Sequence, residues 1–443
     1  MREIGIALLG LGNVGLGSFR ILQEHQAMIE QRLGARVRVR QVLVRDLSRD
    51  RGDPQLAPLL TDDPRRVLDD PAVAIVVELI GGTTAARELV KAAIARGKHV
   101  VTANKALLSE HGEELFGAAQ AAGVDLHFEG AVCGGIPIIR TIREALASDR
   151  IDALYGIVNG TTNFILTAMA DEGAGYADAL ARAQKLGYAE ADPTLDVSGA
   201  DAAQKLSLLA SLCFMSRVRT EHVTVEGIAG VEPVDVAVAR EFGYVLKLLA
   251  VARRTESGIE ARVGPTLIAA RSPLSEVRGA FNAVLLHCAA LGPALLYGQG
   301  AGARPTGSAV VADVLDVCRS VLAGISGRIP LPTGPNLVDL PVLPPSARRG
   351  RFYLRLNVVD EPGVLGRIAT VLGERDVSIE SLVQRPGQGE SHGTARILLF
   401  THPAREGDVR SAVHAVDQLR SCVAPTRVFR IESADVAPNG GTV

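Results

Sequence analysis

A short charged segment carries the strongest chemical signal in the sequence. Residues 187–205 read GYAEADPTLDVSGADAAQK and place carboxylates ahead of Lys205, at Glu190, Asp192, Asp196 and Asp201. If the residues after Ser198 are helical, Asp201 and Lys205 lie one turn apart, where opposite charges meet. A surface salt bridge has the same spacing, but the sequence around this pair is too apolar for a solvated helix face. We expect a functional pair, in which a lysine ammonium stabilises developing negative charge and supplies a proton.

The first third of the chain alternates strand and helix patterns. Helical segments separate five apolar runs, at residues 3–9, 37–44, 73–80, 98–103 and 124–128. This order predicts a doubly wound parallel sheet. The first run is followed by a helical segment that opens with Gly10, Leu11, Gly12, Asn13, Val14 and Gly15. Such a glycine-rich turn allows a pyrophosphate to approach the backbone at a helix N-terminus. Residues 1–135 are therefore predicted to form a Rossmann-type domain that binds a dinucleotide.

The residues after the second run bear on the choice between NADP and NAD. Arg45 and Asp46 follow that run directly, and Arg49 and Arg51 lie beyond them. Guanidinium groups there favour the 2′-phosphate of NADP, whereas a carboxylate would bind the ribose hydroxyl of NAD. The arginines favour NADP, and NAD stays possible through Asp46.

Two more runs end in polar residues at the sheet edge where such folds bind ligands. Asn104 and Lys105 follow the fourth run, and Glu129 follows the fifth. Lys105 is a site candidate, although lysines at strand ends are often only solvated. The glycine-rich turn after Glu129 could receive an anionic group on its amides. Alternatively, its carbonyl oxygens could join Glu129 around a hard cation.

A second domain is predicted over residues 136–302. The strand-like runs IDALYGIVNG, HVTVEGI, IEARVGPTLI and AVLLHCAALGPALLYG suggest a mixed sheet. Thr161 and Thr162 follow the first of these runs at a helix start, where they could cap the helix or contact a substrate. A glycine turn at Gly300 and Gly302 then leads into a helix over residues 303–325. We expect that helix to pack back on the nucleotide-binding domain and to bring both glycines near the cofactor.

Together these segments resemble one family. GLGNVG, VTANKALL, FEGAVCGGIPII, NGTTNFIL, the segment that ends at Lys205 and GAGARPT are similar, in this order, to homoserine dehydrogenases over residues 1 to about 325. The resemblance implies NAD(P)-dependent interconversion of L-aspartate 4-semialdehyde and L-homoserine, in threonine, methionine and isoleucine biosynthesis. It implies that Lys205 donates the proton and that Lys105 lies beside substrate and nicotinamide.

The resemblance also implies which residues bind the substrate, the cofactor and a sodium ion. Glu190 and Asp201 correspond to the substrate-binding carboxylates, and Asp201 could additionally orient Lys205. The expected substrate set is completed by Gly187, Asn159 and Thr161. The expected cofactor set adds to residues 10–15 the residues Arg45, Thr83, Asn104, Lys105, Gly187 and Gly302. A sodium site of relatives corresponds to Glu129 with the carbonyl oxygens of Val132, Gly134 and Ile136.

The C-terminal part follows a different pattern. Residues 329–350 are dense in proline and glycine and predict a linker. Residues 351–432 predict a ferredoxin-like βαββαβ order, with strands at 352–359, 377–384, 394–400 and 423–430 and helices from Val364 and Glu406. The segment NVVDEPGVLGRIATVL resembles the ACT regulatory domain. The resemblance implies that threonine is the effector, contacted by Asn357, Asp360, Gly363 and Val364; a purely dimerising module is the alternative.

Composition sets the remaining expectations. A chain of 443 residues with net charge −2 and 47% hydrophobic residues is typical of a soluble protein of about three domains. Neither nucleic acid nor a membrane is expected as a partner, because the charge is balanced and no apolar stretch is long enough to span a bilayer. We expect a cytoplasmic homodimer or homotetramer. The five cysteines lack metal-ligand spacing and indicate reduced thiols; Cys133 could lie near substrate or serve as a small buried hydrophobe.

Two other classes of function compete with this hypothesis. One is a non-catalytic amino-acid sensor on a Rossmann frame, and the other is a different NAD(P)-dependent dehydrogenase that acts on an amino acid. The joint presence of Lys105, Glu190, Asp201 and Lys205 argues against the sensor, because a pure binder does not need two lysines beside paired carboxylates.

Overall fold

The computed structural model describes residues 1–386 and 393–433. Along the chain, the first twelve strands are β1 Arg2–Leu9, β2 Ala35–Leu43, β3 Leu60–Thr61, β4 Val73–Glu78, β5 His99–Thr102, β6 Leu126–His127, β7 Ile151–Ile157, β8 Thr224–Val225, β9 Tyr244–Thr255, β10 Gly258–Ala269, β11 Phe281–Cys288 and β12 Gly292–Gln299. The C-terminal strands are β13 Arg349–Val359, β14 Ile379–Pro386, β15 Thr394–Thr401, β16 Ala404–Arg405 and β17 Cys422–Glu432.

The helices are numbered in the same way. They are α1 Asn13–Glu24, α2 Gln26–Leu33, α3 Pro64–Leu68, α4 Thr84–Ala95, α5 Lys105–Ala122, α6 Ile138–Arg140, α7 Gly160–Glu172, α8 Tyr176–Lys185, α9 Thr194–Val197, α10 Ala200–Phe214, α11 Pro233–Glu241, α12 Ala303–Ala323, α13 Val364–Gly373 and α14 Glu406–Asp417. The described chain forms two compact units. The first comprises Met1–Gly160, Ala200–Val223 and Ala280–Leu340; the second comprises Thr161–Gly199, Thr224–Gly279 and the described residues from Pro341 onward.

A parallel sheet organises the first unit. Its strand order is β3-β2-β1-β4-β5-β6, and every pair in it is parallel. The central strands β1 and β4 read as nearly continuous apolar runs because helices bury both faces of such a sheet. The predicted Rossmann-type sheet is therefore confirmed. The two-residue strand β3 at its edge was not predicted, because it is too short to give a hydrophobic period.

Helix α12 packs into the core of this sheet. Val310, Val314 and Val317 share a buried cluster with Ile6 and Phe19. The backbones of α1 and α12 approach closely: a β-carbon on Gly17 would lie 2.2 Å from the carbonyl oxygen of Ala303. Glycine is required at this crossing because no larger residue leaves room for the two helices.

The first unit also contains three antiparallel strands, in which β11 pairs with both β7 and β12. The run AVLLHCAALGPALLYG, which we read from sequence as one strand-like stretch, is divided by the turn at residues 289–291 into β11 and β12. Two apolar strands of a hairpin and one long apolar strand have similar sequences, so hydrophobicity alone did not reveal the break. One side of β12 is exposed, with Leu295 at 43% and Tyr297 at 54%.

The second unit contains the strand series β9-β10-β17-β13-β15-β14. Strand β10 pairs antiparallel with β9 and parallel with β17, so this sheet is mixed, as predicted. Strand β9 was missed because Lys247, Arg253 and Arg254 interrupt its apolar pattern. The C-terminal order β13-α13-β14-β15-α14-β17 is the predicted βαββαβ unit, with the short strand β16 added. Strand β14 lies two residues later than predicted, at Ile379–Pro386 rather than 377–384.

The segment that we predicted as a linker, residues 329–350, contains short 3-10 turns at Gly334–Asn336 and Pro345–Ala347. Its last two residues already belong to β13, because Arg349 and Gly350 pair with Arg405 and Ala404. Across residues 1–386 and 393–433, no helix has both the length and the hydropathy needed to cross a bilayer.

Candidate active site

The predicted pair Asp201–Lys205 forms one turn of α10. Lys205 Nζ lies 2.7 Å from Asp201 Oδ2 and 2.8 Å from the carbonyl oxygen of Val158. The amide of Asn159 donates to the same Asp201 oxygen over 2.8 Å. Strand β7 ends just before Val158, so the end of that strand and the first turn of α10 fix the ammonium group between them. The Val158 contact was not predicted, because a backbone acceptor leaves no signal in side-chain types.

Lys105 reaches the other oxygen of the same carboxylate. Its Nζ lies 3.2 Å from Asp201 Oδ1, and its side chain is 29% exposed. Lys105 is the first residue of α5, where the side chain of Asn104 caps the helix by accepting a hydrogen bond from the Leu107 amide over 3.1 Å. The structure therefore brings together four predicted site residues, Lys105, Asn159, Asp201 and Lys205.

Asp201 is ionised in this setting. Burial opposes its negative charge, but the ammonium groups of Lys205 and Lys105 and the hydrogen bonds outweigh burial and lower its pKa to about 2. A negative carboxylate between two ammonium groups keeps both lysines oriented. Of the two roles considered for Asp201 from sequence, orientation of Lys205 is the one visible in these contacts.

The glycine-rich turn between β1 and α1 has the conformation needed for a dinucleotide phosphate. Gly10 has φ +95°, a backbone region that favours glycine. A β-carbon on Gly15 would lie 2.6 Å from the Gly10 carbonyl oxygen, whereas one on Gly12 would meet nothing within 4 Å. Gly12 and Asn13 face solvent, and Leu11 and Val14 pack against the core. The open space over Gly12 at the N-terminus of α1 fits a pyrophosphate.

A polar network fixes the neighbouring loop. Asn104 Nδ2 donates to the carbonyl oxygen of Gly82 over 2.7 Å, next to Thr83 at the start of α4. Glu78, fully buried at the end of β4, accepts from Thr102 Oγ1 over 2.6 Å and from the Ile80 amide over 2.8 Å. Sequence reasoning missed Glu78. Its position at the carboxyl end of a central strand was the available signal.

Arg45 is exposed in the loop after β2. The neighbouring Asp46 carboxylate accepts hydrogen bonds from the hydroxyl and amide of Ser48, over 2.6 and 2.8 Å, and these bonds lower its pKa. Arg51 donates to the carbonyl oxygen of Asp46 over 2.6 Å. Asp46 is thus engaged within its own loop, and Arg45 is exposed beside it.

Glu129 lies buried in the turn after β6. Its two carboxylate oxygens accept hydrogen bonds from the amides of Ile139, over 2.7 Å, and Arg140, over 2.8 Å. Burial and the nearby charge of Asp313 raise its pKa to about 7. The carbonyl oxygen of Ile136 accepts from the Ile138 amide over 2.8 Å. Val132, Gly134 and Ile136 are all buried, and Gly134 has φ +50°. Buried carboxylate and carbonyl oxygens form a donor set that suits a hard cation.

Three predicted substrate residues lie in the second unit. The hydroxyl of Thr161, in the first turn of α7, donates to the carbonyl oxygen of Tyr188 over 2.6 Å. Gly187 has φ +76° and Glu190 is exposed. Thr161 therefore connects the start of α7 to the loop that carries Gly187 and Glu190. From sequence we considered helix capping and substrate contact for Thr161, and this bond to the loop is neither of them.

Gly302, in the first unit, directly precedes α12 as its N-cap and has φ +119°. Cys133 is fully buried, and burial raises the pKa of its thiol to about 12. Complete burial is typical of a small packing residue, and the charges of Lys205 and Asp201 also act on this thiol.

Three of the four predicted effector residues line a cleft of 420 Å³ in the C-terminal module, and the fourth, Asn357, does not line it. Asp360, Gly363 and Val364 line it, together with Gln384, whose amide donates to Asp360 Oδ1 over 3.1 Å. Asn357 accepts from Arg396 Nε over 3.4 Å. Gly363 has φ +86° and directly precedes α13, so it forms the tight strand-to-helix turn that the sequence predicted.

A Rossmann-like sheet with an open glycine turn, in a unit that also holds a lysine–aspartate–lysine cluster, defines a dinucleotide-dependent oxidoreductase. Family models agree: residues 10–129 match the homoserine dehydrogenase NAD-binding domain, 137–315 match homoserine dehydrogenase and 352–421 match the ACT domain. The chain belongs to the homoserine dehydrogenase family and carries an NAD-binding domain and an ACT domain.

Individual relatives cover nearly the whole chain. Homoserine dehydrogenase of Pseudomonas aeruginosa is 44% identical over 437 residues, which are 98% of this chain and 99% of the relative. The crystal structure of a homoserine dehydrogenase from Thiobacillus denitrificans aligns with a TM-score of 0.92 at 46% identity, over 98% of this chain and 99% of that one. A hyperthermophilic archaeal homoserine dehydrogenase in complex with NADPH aligns at 26% identity with a TM-score of 0.59, over 71% of this chain and 97% of that one.

Proposed function

We propose that the chain interconverts L-aspartate 4-semialdehyde and L-homoserine, with NADP as the preferred cofactor, in threonine, methionine and isoleucine biosynthesis. The main support for this proposal is that Lys105 and Lys205 both pair with the ionised carboxylate of Asp201. Two oriented ammonium groups in one site suit a reaction in which a carbonyl oxygen gains negative charge.

Lys205 is the proposed proton donor. When bound, a reduced nicotinamide would supply a hydride to the aldehyde carbon, and the aldehyde oxygen would then need a proton. Asp201 and the Val158 carbonyl hold the Lys205 ammonium at 2.7 and 2.8 Å, so the donor is already oriented before substrate arrives. In the reverse direction the same amine accepts the hydroxyl proton of homoserine. Lys105 stabilises the negative charge on the oxygen.

Substrate recognition is assigned to carboxylate and polar groups. Glu190 is the proposed partner of the substrate ammonium, because Asp201 is already engaged by the two lysines. Asp201 contributes further negative charge beside that ammonium. Gly187, Asn159 and Thr161 complete the proposed substrate set. Their support is the bond from Asn159 to Asp201 and that from Thr161 to the loop before Glu190.

The preference for NADP rests on the loop after β2. Arg45 is exposed there, while the Asp46 carboxylate that would serve NAD is bound to Ser48. Residues 10–15, Thr83, Asn104, Lys105, Gly187 and Gly302 complete the proposed cofactor set. The archaeal relative in complex with NADPH is compatible with this preference.

A sodium ion is proposed for the Glu129 turn. A cation there would offset the burial and the Asp313 charge that raise the pKa of Glu129. The proposed ligands are Glu129 and the carbonyl oxygens of Val132, Gly134 and Ile136. The carboxylate keeps oxygen lone pairs for a cation beyond those that receive the Ile139 and Arg140 amides.

Threonine is the proposed effector of the ACT module. The 420 Å³ cleft is large enough for one small amino acid. The amides at the start of α13 can receive a carboxylate, and Asp360 can receive an ammonium. We also propose a homodimer or homotetramer, for which the exposed apolar side chains of β12 offer a surface.

The deciding experiment measures initial rates of aspartate semialdehyde reduction by the absorbance of NADPH and then of NADH, with and without threonine. We expect turnover with both cofactors, a higher kcat/KM with NADPH, and inhibition by threonine. Turnover of another amino acid alone would favour a different dehydrogenase. Absence of turnover together with amino-acid binding would favour the sensor. Turnover that threonine does not change would leave the ACT module as a dimerising element.

A further inference from the structure

Helix α11 is held at both ends by arginines of the ACT module. At its N-terminus, Arg355 of β13 donates from Nε to Asp235 Oδ1 and from Nη2 to Glu232 Oε1, each over 2.7 Å. Glu232 and Asp235 also cap the helix reciprocally with their side chains and amides. At its C-terminus, Arg385 of β14 pairs with Glu241, the last residue of α11. Both ends of one helix are thus attached to neighbouring parts of the same module.

The two attachments differ in strength. The Arg355 side chain is 2% exposed and that of Asp235 0%, so breaking this pair would leave a buried charge without its partner, at a large cost. The Arg385 and Glu241 side chains are 40% and 51% exposed, and such a pair contributes little to stability. Arg355 therefore acts as a fixed anchor, and Arg385 is the contact that can open and close.

The weaker attachment lies next to the cleft. Gln384, the residue before Arg385, lines the cleft and donates to Asp360. Across the sheet, Arg396 of β15 pairs in register with Asn357 on one side and with Arg385 on the other. A ligand that displaces Asp360 would therefore shift Arg385 through its direct neighbour Gln384.

The other side of α11 faces the middle of α7. Val236 and Arg240 line a cavity of 260 Å³ together with Leu166 and Thr167 of α7 and Lys247 of β9. Lys247 Nζ donates to Asn163 Oδ1 over 3.0 Å, in the first turn of α7. That turn also contains Thr161, which is bonded to the loop before Glu190. A movement of α11 would therefore be transmitted to the proposed substrate loop through the residues that line this cavity and through α7.

We propose that Arg385 and Glu241 form a regulatory contact: occupation of the ACT cleft changes this pair, α11 pivots about the Arg355 anchor, and the start of α7 shifts with it. The inference rests on the proposed function, because it supplies the route by which the ACT cleft regulates turnover. It requires no change at the anchor itself.

The test uses the full-length variant Arg385→Met, with Arg420→Met, an exposed arginine of the same module, as the matched control. Homoserine KM is measured with and without threonine as the probe. We expect unchanged basal kcat/KM in both variants. The threonine-induced change in KM should fall by about two- to fivefold in Arg385→Met, the range of an exposed ion pair, and should persist in Arg420→Met. The charge exchange Arg385→Glu with Glu241→Arg should restore the response.

Hydrogen exchange separates this inference from the proposed activity. In the wild type, threonine should change amide exchange both at residues 360–364 and at residues 233–241; in Arg385→Met only the first change should remain. A full threonine effect on α11 in Arg385→Met would overturn the inference even if the enzyme is active. No threonine effect at residues 360–364 would also overturn it. Absence of homoserine turnover would instead contradict the proposed function. The comparison of hydrogen exchange between the wild type and Arg385→Met would still test the regulatory contact, because it does not depend on catalysis.

Discussion

Lys205 has its ammonium fixed by one carboxylate and one carbonyl oxygen, and it is the residue whose loss should affect chemistry most. We expect Lys205→Ala to lower kcat by about 10²- to 10⁴-fold, the usual contribution of a positioned proton donor. The KM for NADPH should change little, because the glycine-rich turn is untouched. The measurement is steady-state kinetics in both directions, with Lys185→Ala as a control, since Lys185 is an exposed lysine at the end of α8. Near-normal turnover in Lys205→Ala would remove it as the donor.

Asp201 should make stability depend on pH in a definite direction. Its pKa falls from 3.8 to about 2 on folding, so the folded state favours the charged form. That stabilisation is complete above the unfolded pKa of about 3.9 and is lost as pH falls through the folded pKa. Its size is about 2 kcal/mol from the shift alone. Urea unfolding should therefore show a higher free energy of unfolding for the wild type than for Asp201→Asn, and this difference should become smaller below pH 3.8. A gap independent of pH would show that Asp201 is not ionised between the lysines.

Glu129 gives a prediction for cation removal. If sodium binds at this carboxylate, sodium chloride should raise the melting temperature more than choline chloride at equal ionic strength, because a ligand of the folded state alone stabilises it. Glu129→Gln should lose the difference between the two salts. The carboxylate also receives two amides of the following helix, and glutamine can accept only one of them well, so that variant should be less stable in both salts. Equal melting temperatures of the wild type in the two salts would contradict the cation site.

At the scale of single elements, the loop after β2 should set the cofactor preference. Arg45→Ala should raise the KM for NADPH by about tenfold or more, since a charge-assisted hydrogen bond to phosphate contributes roughly 1.5 kcal/mol or more. The KM for NADH should stay nearly constant. Arg65→Ala, which alters an exposed arginine of α3, serves as the control. Equal weakening of both cofactors by Arg45→Ala would give Arg45 a structural role instead.

Local patterns explain which elements could be predicted. The turn from β1 into α1 was predictable because adjacent residues determine it, and the Asp201–Lys205 pair was predictable because it spans one helical turn. Strand β9 was not, because Lys247 is buried and Arg253 half-buried through partners from distant segments, at Asn163 and Glu432. Buried charges of this kind break the hydrophobic period from which strands are recognised.

The same distinction applies to the site. The sequence indicated Lys105, Asn159, Asp201 and Lys205 one by one, partly through family resemblance. Their proximity depends on how the start of α5, the end of β7 and the start of α10 meet. The carbonyl oxygen of Val158 and the buried carboxylate of Glu78 were missed. A backbone acceptor cannot be recognised from residue types. Glu78 is the last residue of an otherwise apolar strand, and only its position at the carboxyl end of that strand indicated a role.

At the scale of the whole molecule, the ACT module is joined to the mixed sheet of the second unit by buried charges as well as by strand pairing. Strand β17 pairs in parallel with β10 through Thr266↔Arg430 and its two neighbours. Glu432, at the end of β17, contacts Arg262 over 2.5 Å and Arg253 over 3.0 Å. Glu432 and Arg262 are each 5% exposed at the side chain. The ACT module is therefore part of this unit's core rather than a removable appendage.

Glu432→Gln should consequently weaken the fold far from the chemistry. The change keeps the side-chain shape but removes the closer of two carboxylates that contact the buried Arg262, which keeps Glu260 at 3.4 Å. We expect it to lower the free energy of unfolding by about 1–3 kcal/mol. Unfolding by urea should show a lower midpoint, and kcat at moderate temperature should change little because the first unit holds the lysine cluster. Glu374→Gln, which alters an exposed carboxylate beside Arg375, is the control and should leave the midpoint nearly unchanged. If Glu432→Gln and Glu374→Gln behave alike, the buried charges do not join the module to the sheet, and strand pairing alone must hold it.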